Sequence, residues 1–168
     1  MAAASPPFRS LPTERTAVRP AGTARFSRVW RLTIGMDAAT IDHVNLRITA
    51  DGTEAAIDFY RDCLGFVIEG LEQYEADEQS FFDVRLAPEH VLHLWPTDEF
   101  EPPSGNGFNH VALLIEDDIA AIKRSLDESD VTIANELDSP LGATGRAPAV
   151  YVEDPFGYRI ELKTTANE

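Results

Sequence analysis

Apolar and polar side chains alternate with period two over 41–48, where Val44, Leu46 and Ile48 share one face and His43, Asn45 and Arg47 the other. This predicts a strand buried on one side only. The pattern returns over 108–115, with Val111, Leu113 and Ile115 on one face and His110 pointing the other way. The two segments read IDHVNLRI and FNHVALLI, so the echo reaches residue identity. After the first strand the period changes. Ala56, Phe59, Tyr60, Cys63 and Leu64 fit a helical stripe. Asp51-Gly52-Thr53 offers a turn and a cap, and Gly65 can close the helix in a left-handed conformation. Strands are predicted over 66–74, 80–86 and 91–95, followed by a Pro/Gly-rich linker over 97–107. The second unit repeats the order. Asp117-Asp118 caps a helix carrying Ile119, Ile122 and Leu126, and strands follow over 131–137, 149–153 and 158–162. Asp154-Pro155-Phe156-Gly157 supplies hairpin chemistry, and 138–147 reads as a long loop at the rim of the site. The chain is thus predicted to be α+β, with duplicated strand–helix–three-strand modules over 41–96 and 108–163.

The duplication carries chemistry. His43 and His110 lie 67 residues apart, and His93 and Glu161, each between two apolar neighbours, lie 68 apart. All four point away from the layer that packs on helices. A lone strand histidine is ordinarily a hydrogen-bonded structural residue. Four ligand-type residues at matched repeat positions are a different matter. Duplicated units usually pack about a pseudo-twofold axis, so the four are expected to converge on one divalent metal ion, with Zn, Ni, Mn, Co and Fe all compatible. Cys63, the single cysteine, excludes a disulfide framework and a cysteine-based zinc cluster, and its place on the stripe reads as core. Asn45, Arg47, Asp83, Arg85 and Arg159 alternate with apolar neighbours. Asn45, Arg47, Arg85 and Trp95 are the candidate substrate contacts. Arg47 and Arg85 suit a carboxylate or phosphate, and Trp95 an aromatic wall. A solvated strand face, or core packing for Trp95, is the plain alternative. His90 at a strand start is expected to be exposed, and Glu72, Glu75, Asp77 and Glu78 to be solvated surface.

Charge divides the 168-residue chain. The formal net charge is −15, yet residues 1–35 hold six Arg against one Glu, while the rest holds 8 basic and 28 acidic side chains. A domain this acidic repels nucleic acid and anionic membranes, and it resembles adaptation to a high-salt cytoplasm. No apolar run approaches a membrane span. The expected partner is a small molecule, in the cytoplasm, with a homodimer open to it. Residues 1–36 read as a disordered leader, like a transit peptide, or as a misassigned extension with Met36 the true start.

Four segments, IDHVNLRIT, AAIDFYRDCLGF, FNHVALLIEDDIAAI and VYVEDPFGYRIELK, resemble the vicinal oxygen chelate superfamily, the glyoxalase, bleomycin-resistance and dioxygenase group. The resemblance spans roughly 41–163. It implies paired βαβββ modules curling into a cup-shaped, eight-stranded mixed sheet with helices outside, over 37–168. It also implies a metal held by His43, His93, His110 and Glu161. His93 departs from the pattern, because relatives carry Glu or Gln there. A metal-dependent glyoxalase-like lyase is implied, polarising a small oxygen-bearing substrate and stabilising an enolate or oxyanion, with Glu161 as catalytic base or as ligand only. Two alternatives stand. His43, His110 and Glu161 alone would suit Fe(II) in a ring-cleaving dioxygenase, and Tyr151 to Glu161 matches the tail of that pattern. Against it, Gly142-Ala143-Thr144 stands where a histidine is needed, and His93 would fill a position that O₂ requires. The other alternative is a non-catalytic drug-binding protein.

Overall fold

The computed structural model describes residues 38–104 and 107–165, all within one compact unit, Thr40–Glu168, apart from its first two residues. The expected leader lies outside the described residues.

In the first module, strand β1 (His43–Thr49) leads into helix α1 (Thr53–Ile57), which continues as a π-helical stretch, Asp58–Cys63. Then come β2 (Val67–Glu69), helix α2 (Leu71–Glu75), β3 (Phe82–Ala87) and β4 (His90–Thr97). The second module has β5 (Val111–Ile115), helix α3 (Ile119–Glu128), β6 (Asn135–Leu137), a ribbon of β7 (Leu141–Gly142) and β8 (Gly145–Arg146), β9 (Ala149–Glu153) and β10 (Arg159–Thr164). The two sheets have the same order, β1-β4-β3-β2 and β5-β10-β9-β6. In each, the first strand runs parallel to the last, and the remaining pairs are antiparallel. The duplicated βαβββ reading and the α+β class hold. The eight strands of the two modules form two four-stranded ladders, one per module.

The buried faces are the ones that the alternation marks. Leu46, Ile48, Leu92 and Leu94 from the first sheet and Leu113, Val150, Ile160 and Leu162 from the second join Ala56, Phe59, Ile122 and Leu126 of the helices in one core. Adjacent Phe59 and Tyr60 are both buried. The π-helical turn, with Leu64 N–H bonded to the Phe59 carbonyl, widens the helix so that both reach the core. Gly65 ends it at φ +77°, as expected. Gly52 is glycine because of a close approach: a Cβ there would lie 2.6 Å from the Phe156 ring of the second module.

Three boundaries differ from expectation. The 66–74 strand stops at Glu69 because Gly70 turns left-handed at φ +72°, and Leu71 and Tyr74, three apart, then pack on the core from a helix. Only Asn135–Leu137 of the 131–137 segment joins a ladder. The 138–147 loop folds back as the β7–β8 ribbon. Cys63 is half-buried.

Candidate metal centre

The parallel β1–β4 register sets Asn45 opposite His93 and Arg47 opposite Trp95 on the face that carries His43. The His43 and His93 rings are 4.2 Å apart between centroids, and Phe81 packs 4.4 Å from His93 on its other side. Each histidine is braced through Nδ1. His43 meets Asp42 Oδ2 at 2.8 Å, and His93 meets Asp83 Oδ1, directly opposite on β3, at 2.5 Å. Carboxylate oxygens accept, so these bonds fix hydrogen on Nδ1 and leave each Nε2 lone pair free. The His43 bond also holds the exposed Asp42 carboxyl below its ordinary range.

The second module repeats the construction. His110 Nδ1 donates to Asn109 Oδ1 at 2.6 Å, and Tyr151, directly opposite Glu161 on β9, donates its hydroxyl to Glu161 Oε2 at 2.8 Å. His110 Nε2 stands 3.0 Å from the same Oε2. With hydrogen on Nδ1, that contact sets two lone pairs against each other, and it requires a proton or a cation between them. Imidazole nitrogens and a buried carboxylate are donors of the kind that fit a divalent cation.

The four expected ligands therefore come together as two pairs, His43 with His93 and His110 with Glu161. Among the described residues no group of three or more His, Cys, Asp or Glu side chains gathers closely enough to hold a metal ion. Of the expected substrate contacts, Asn45, Arg47 and Trp95 are exposed on the His43 face, and Arg47 lies only loosely, at 3.9 Å, against Glu99. Arg85 is committed elsewhere. Its Nε and Nη2 grip Glu69 Oε2 at 3.0 and 2.6 Å, and Nη1 reaches the carbonyls of Ala87 and Pro88. His90, expected to be exposed, is half-buried, with Nδ1 on the Ile41 carbonyl.

The profile of the Glyoxalase/Bleomycin resistance protein/Dioxygenase superfamily matches residues 40–162. The chain belongs to this superfamily. It is 30% identical over 121 residues to a probable lactoylglutathione lyase of Synechocystis, covering 68% of this chain and 88% of that protein. It is 26% identical over 126 residues to a lactoylglutathione lyase of Neisseria meningitidis serogroup A, covering 71% and 86%. The crystal structure of a virulence protein from Salmonella typhimurium shares the fold at 22% identity and a TM-score of 0.62, covering 78% of this chain and all of that one.

Within this superfamily fold, the bracing residues Asp42, Asn109 and Tyr151 were not picked out from the sequence as partners of the ligands. Their signal is the repeat itself. Asp42 and Asn109 precede the two strand histidines, and Asp83 and Tyr151 keep the 68-residue offset of His93 and Glu161.

Proposed function

We propose that this superfamily member is a metal-dependent, glyoxalase-like lyase acting on a small thiol adduct, and that a second copy of the chain completes its metal centre. One observation carries the reading. Two braced pairs of donors, His43 with His93 and His110 with Glu161, form within one chain, and among the described residues neither gathers a third ligand-type side chain. His43 and His93 of one copy would hold the cation together with His110 and Glu161 of the other. Four donors leave fewer open positions than a two-histidine, one-carboxylate centre, which favours a lyase over a ring-cleaving dioxygenase. The relatives named as lactoylglutathione lyases support the same class.

A cation bound there supplies Lewis-acid polarisation of adjacent substrate oxygens. The chain's own residues do the rest. Glu161 is 5% exposed, so its carboxylate works in a largely dry setting. His110 and Tyr151 both engage Oε2, and Oε1 has no hydrogen-bond partner among the described residues. Oε1 is thus the atom that takes the proton from the carbon beside the substrate carbonyl and returns it to the neighbouring carbon. Phe81 packs on the His93 ring and limits its freedom to turn.

Complementation tests the assembly. His43→Ala and His110→Ala are each expected to be inactive with the hemithioacetal that leads to lactoylglutathione. Mixed and reassociated, the two should recover about one quarter of wild-type activity, since half the dimers are mixed and each then holds one intact site of two. No recovery from a mixture shown to exchange subunits would place all four ligands in one chain and overturn the shared site.

A further inference from the structure

We infer that Arg159 is the substrate-recognising residue of the Glu161 half-site, and that it selects a substrate bearing a carboxylate. The inference rests on the lyase reading above and extends it to substrate charge. Alternation along β10 sets Arg159, Glu161 and Lys163 on one face, with Arg159 exposed and the other two buried. Two residues along a strand is about 6.5 Å, the reach of a small substrate. The parallel pairing of Ile160 with Val111 brings Arg159 alongside His110, one position earlier on each strand.

Of the other cations near the two half-sites two are occupied, while Arg47, on the first half-site, lies loosely at 3.9 Å against Glu99. Lys163 gives its ammonium to the Pro140 and Ala147 carbonyls at 2.6 and 3.2 Å, and Arg85 is held by Glu69. Arg159 makes no hydrogen bond or ion pair among the described residues. Glu153, its exposed partner across the ladder, does not come within ion-pair distance. A fixed positive charge beside metal ligands weakens cation binding, so a structural or ligand-supporting role gives no reason for it. An anionic substrate does. The chain carries 29 acidic against 14 basic side chains, and it repels anions unless a local cation offsets the field. The guanidinium fork matches a carboxylate in two parallel hydrogen bonds.

The test uses the metal-loaded full chain and two ligands: lactoylglutathione, which carries glutathione's carboxylates, and the lactoyl thioester of 2-mercaptoethanol, which carries none. Calorimetry and steady-state kinetics should show Arg159→Gln weakening lactoylglutathione by about tenfold or more, in KM rather than kcat, with the neutral thioester changed by less than about twofold. Arg159→Lys should recover part of the loss. Added salt should weaken lactoylglutathione binding by the wild type far more than by Arg159→Gln. If both ligands weaken equally in Arg159→Gln, or neither does, while the wild type still binds and turns them over, the charge-selecting role is wrong and the lyase reading stands. A wild type that neither binds nor turns over either thioester overturns both.

Discussion

His93 and Glu161 hold equivalent positions in the two modules, and the residue facing each across the ladder suits its chemistry. The imidazole faces an acceptor, Asp83, and the carboxylate faces a donor, Tyr151. Burial first, and then the bond to Glu161, pushes the Tyr151 phenol up to about 12, so it remains a donor throughout the neutral range. Tyr151→Phe should therefore lower metal affinity by about 10–100-fold, measured by chelator competition, because the carboxylate loses the partner that orients it. Glu161→Gln keeps the shape but removes charge and basicity, and its turnover per bound metal should fall well below that of Tyr151→Phe. Equal turnover per metal in the two variants would take the proton-carrying role away from Glu161.

At the scale of elements, the β7–β8 ribbon has few fixings of its own. Its two-residue strands cannot hold it, and Leu141 at its start is 72% exposed. Lys163 supplies the fixing. Its buried ammonium gathers carbonyls from both sides of the ribbon, and Gly142 leaves room for its stem, where a Cβ would lie 3.1 Å from Cε. Lys163→Met keeps the apolar stem and removes the three donors. It should speed tryptic cleavage at Arg146 severalfold while leaving the far-ultraviolet circular dichroism unchanged. Unaltered cleavage would show that packing alone holds the ribbon.

At the scale of the whole molecule, the modules are joined by a buried polar contact as well as by the shared core. Tyr60 from the π-helical stretch donates to Asp154 Oδ2 at 2.7 Å, and Asp154 Oδ1 accepts from the Phe156 and Tyr158 N–H groups. Burial holds the Asp154 carboxyl above its ordinary range, against the pull of these three donors. As pH falls, the native state takes up this proton before the unfolded chain does. The group thus favours folding in acid, and that contribution is lost as pH rises through its folded pKa. Tyr60→Phe strands a buried carboxylate oxygen and should cost about 1–3 kcal/mol at neutral pH, measured by urea unfolding. The cost should shrink as pH falls through the folded pKa of Asp154, because the protonated carboxyl needs the donor less. A pH-independent loss would mean that packing, and not the hydrogen bond, carries the contact.

Much of this was legible in the residues. Period-two alternation is a local property, and it marked the buried face of each main strand and the side on which His43, His93, His110 and Glu161 stand. The matched offsets gave the module order, because a duplicated unit folds as its twin does. Local signals failed where geometry overrode them. Gly70 cut a strand that the apolar pattern would have continued, and adjacent Phe59 and Tyr60 both reached the core through a π-turn that no helical periodicity announces. Whether four ligands meet was beyond the sequence. Convergence depends on how two modules pack, and the repeat says only that they are alike. The tertiary structure packs them through helices and buried faces, and so brings the four residues together as two pairs, His43 with His93 and His110 with Glu161.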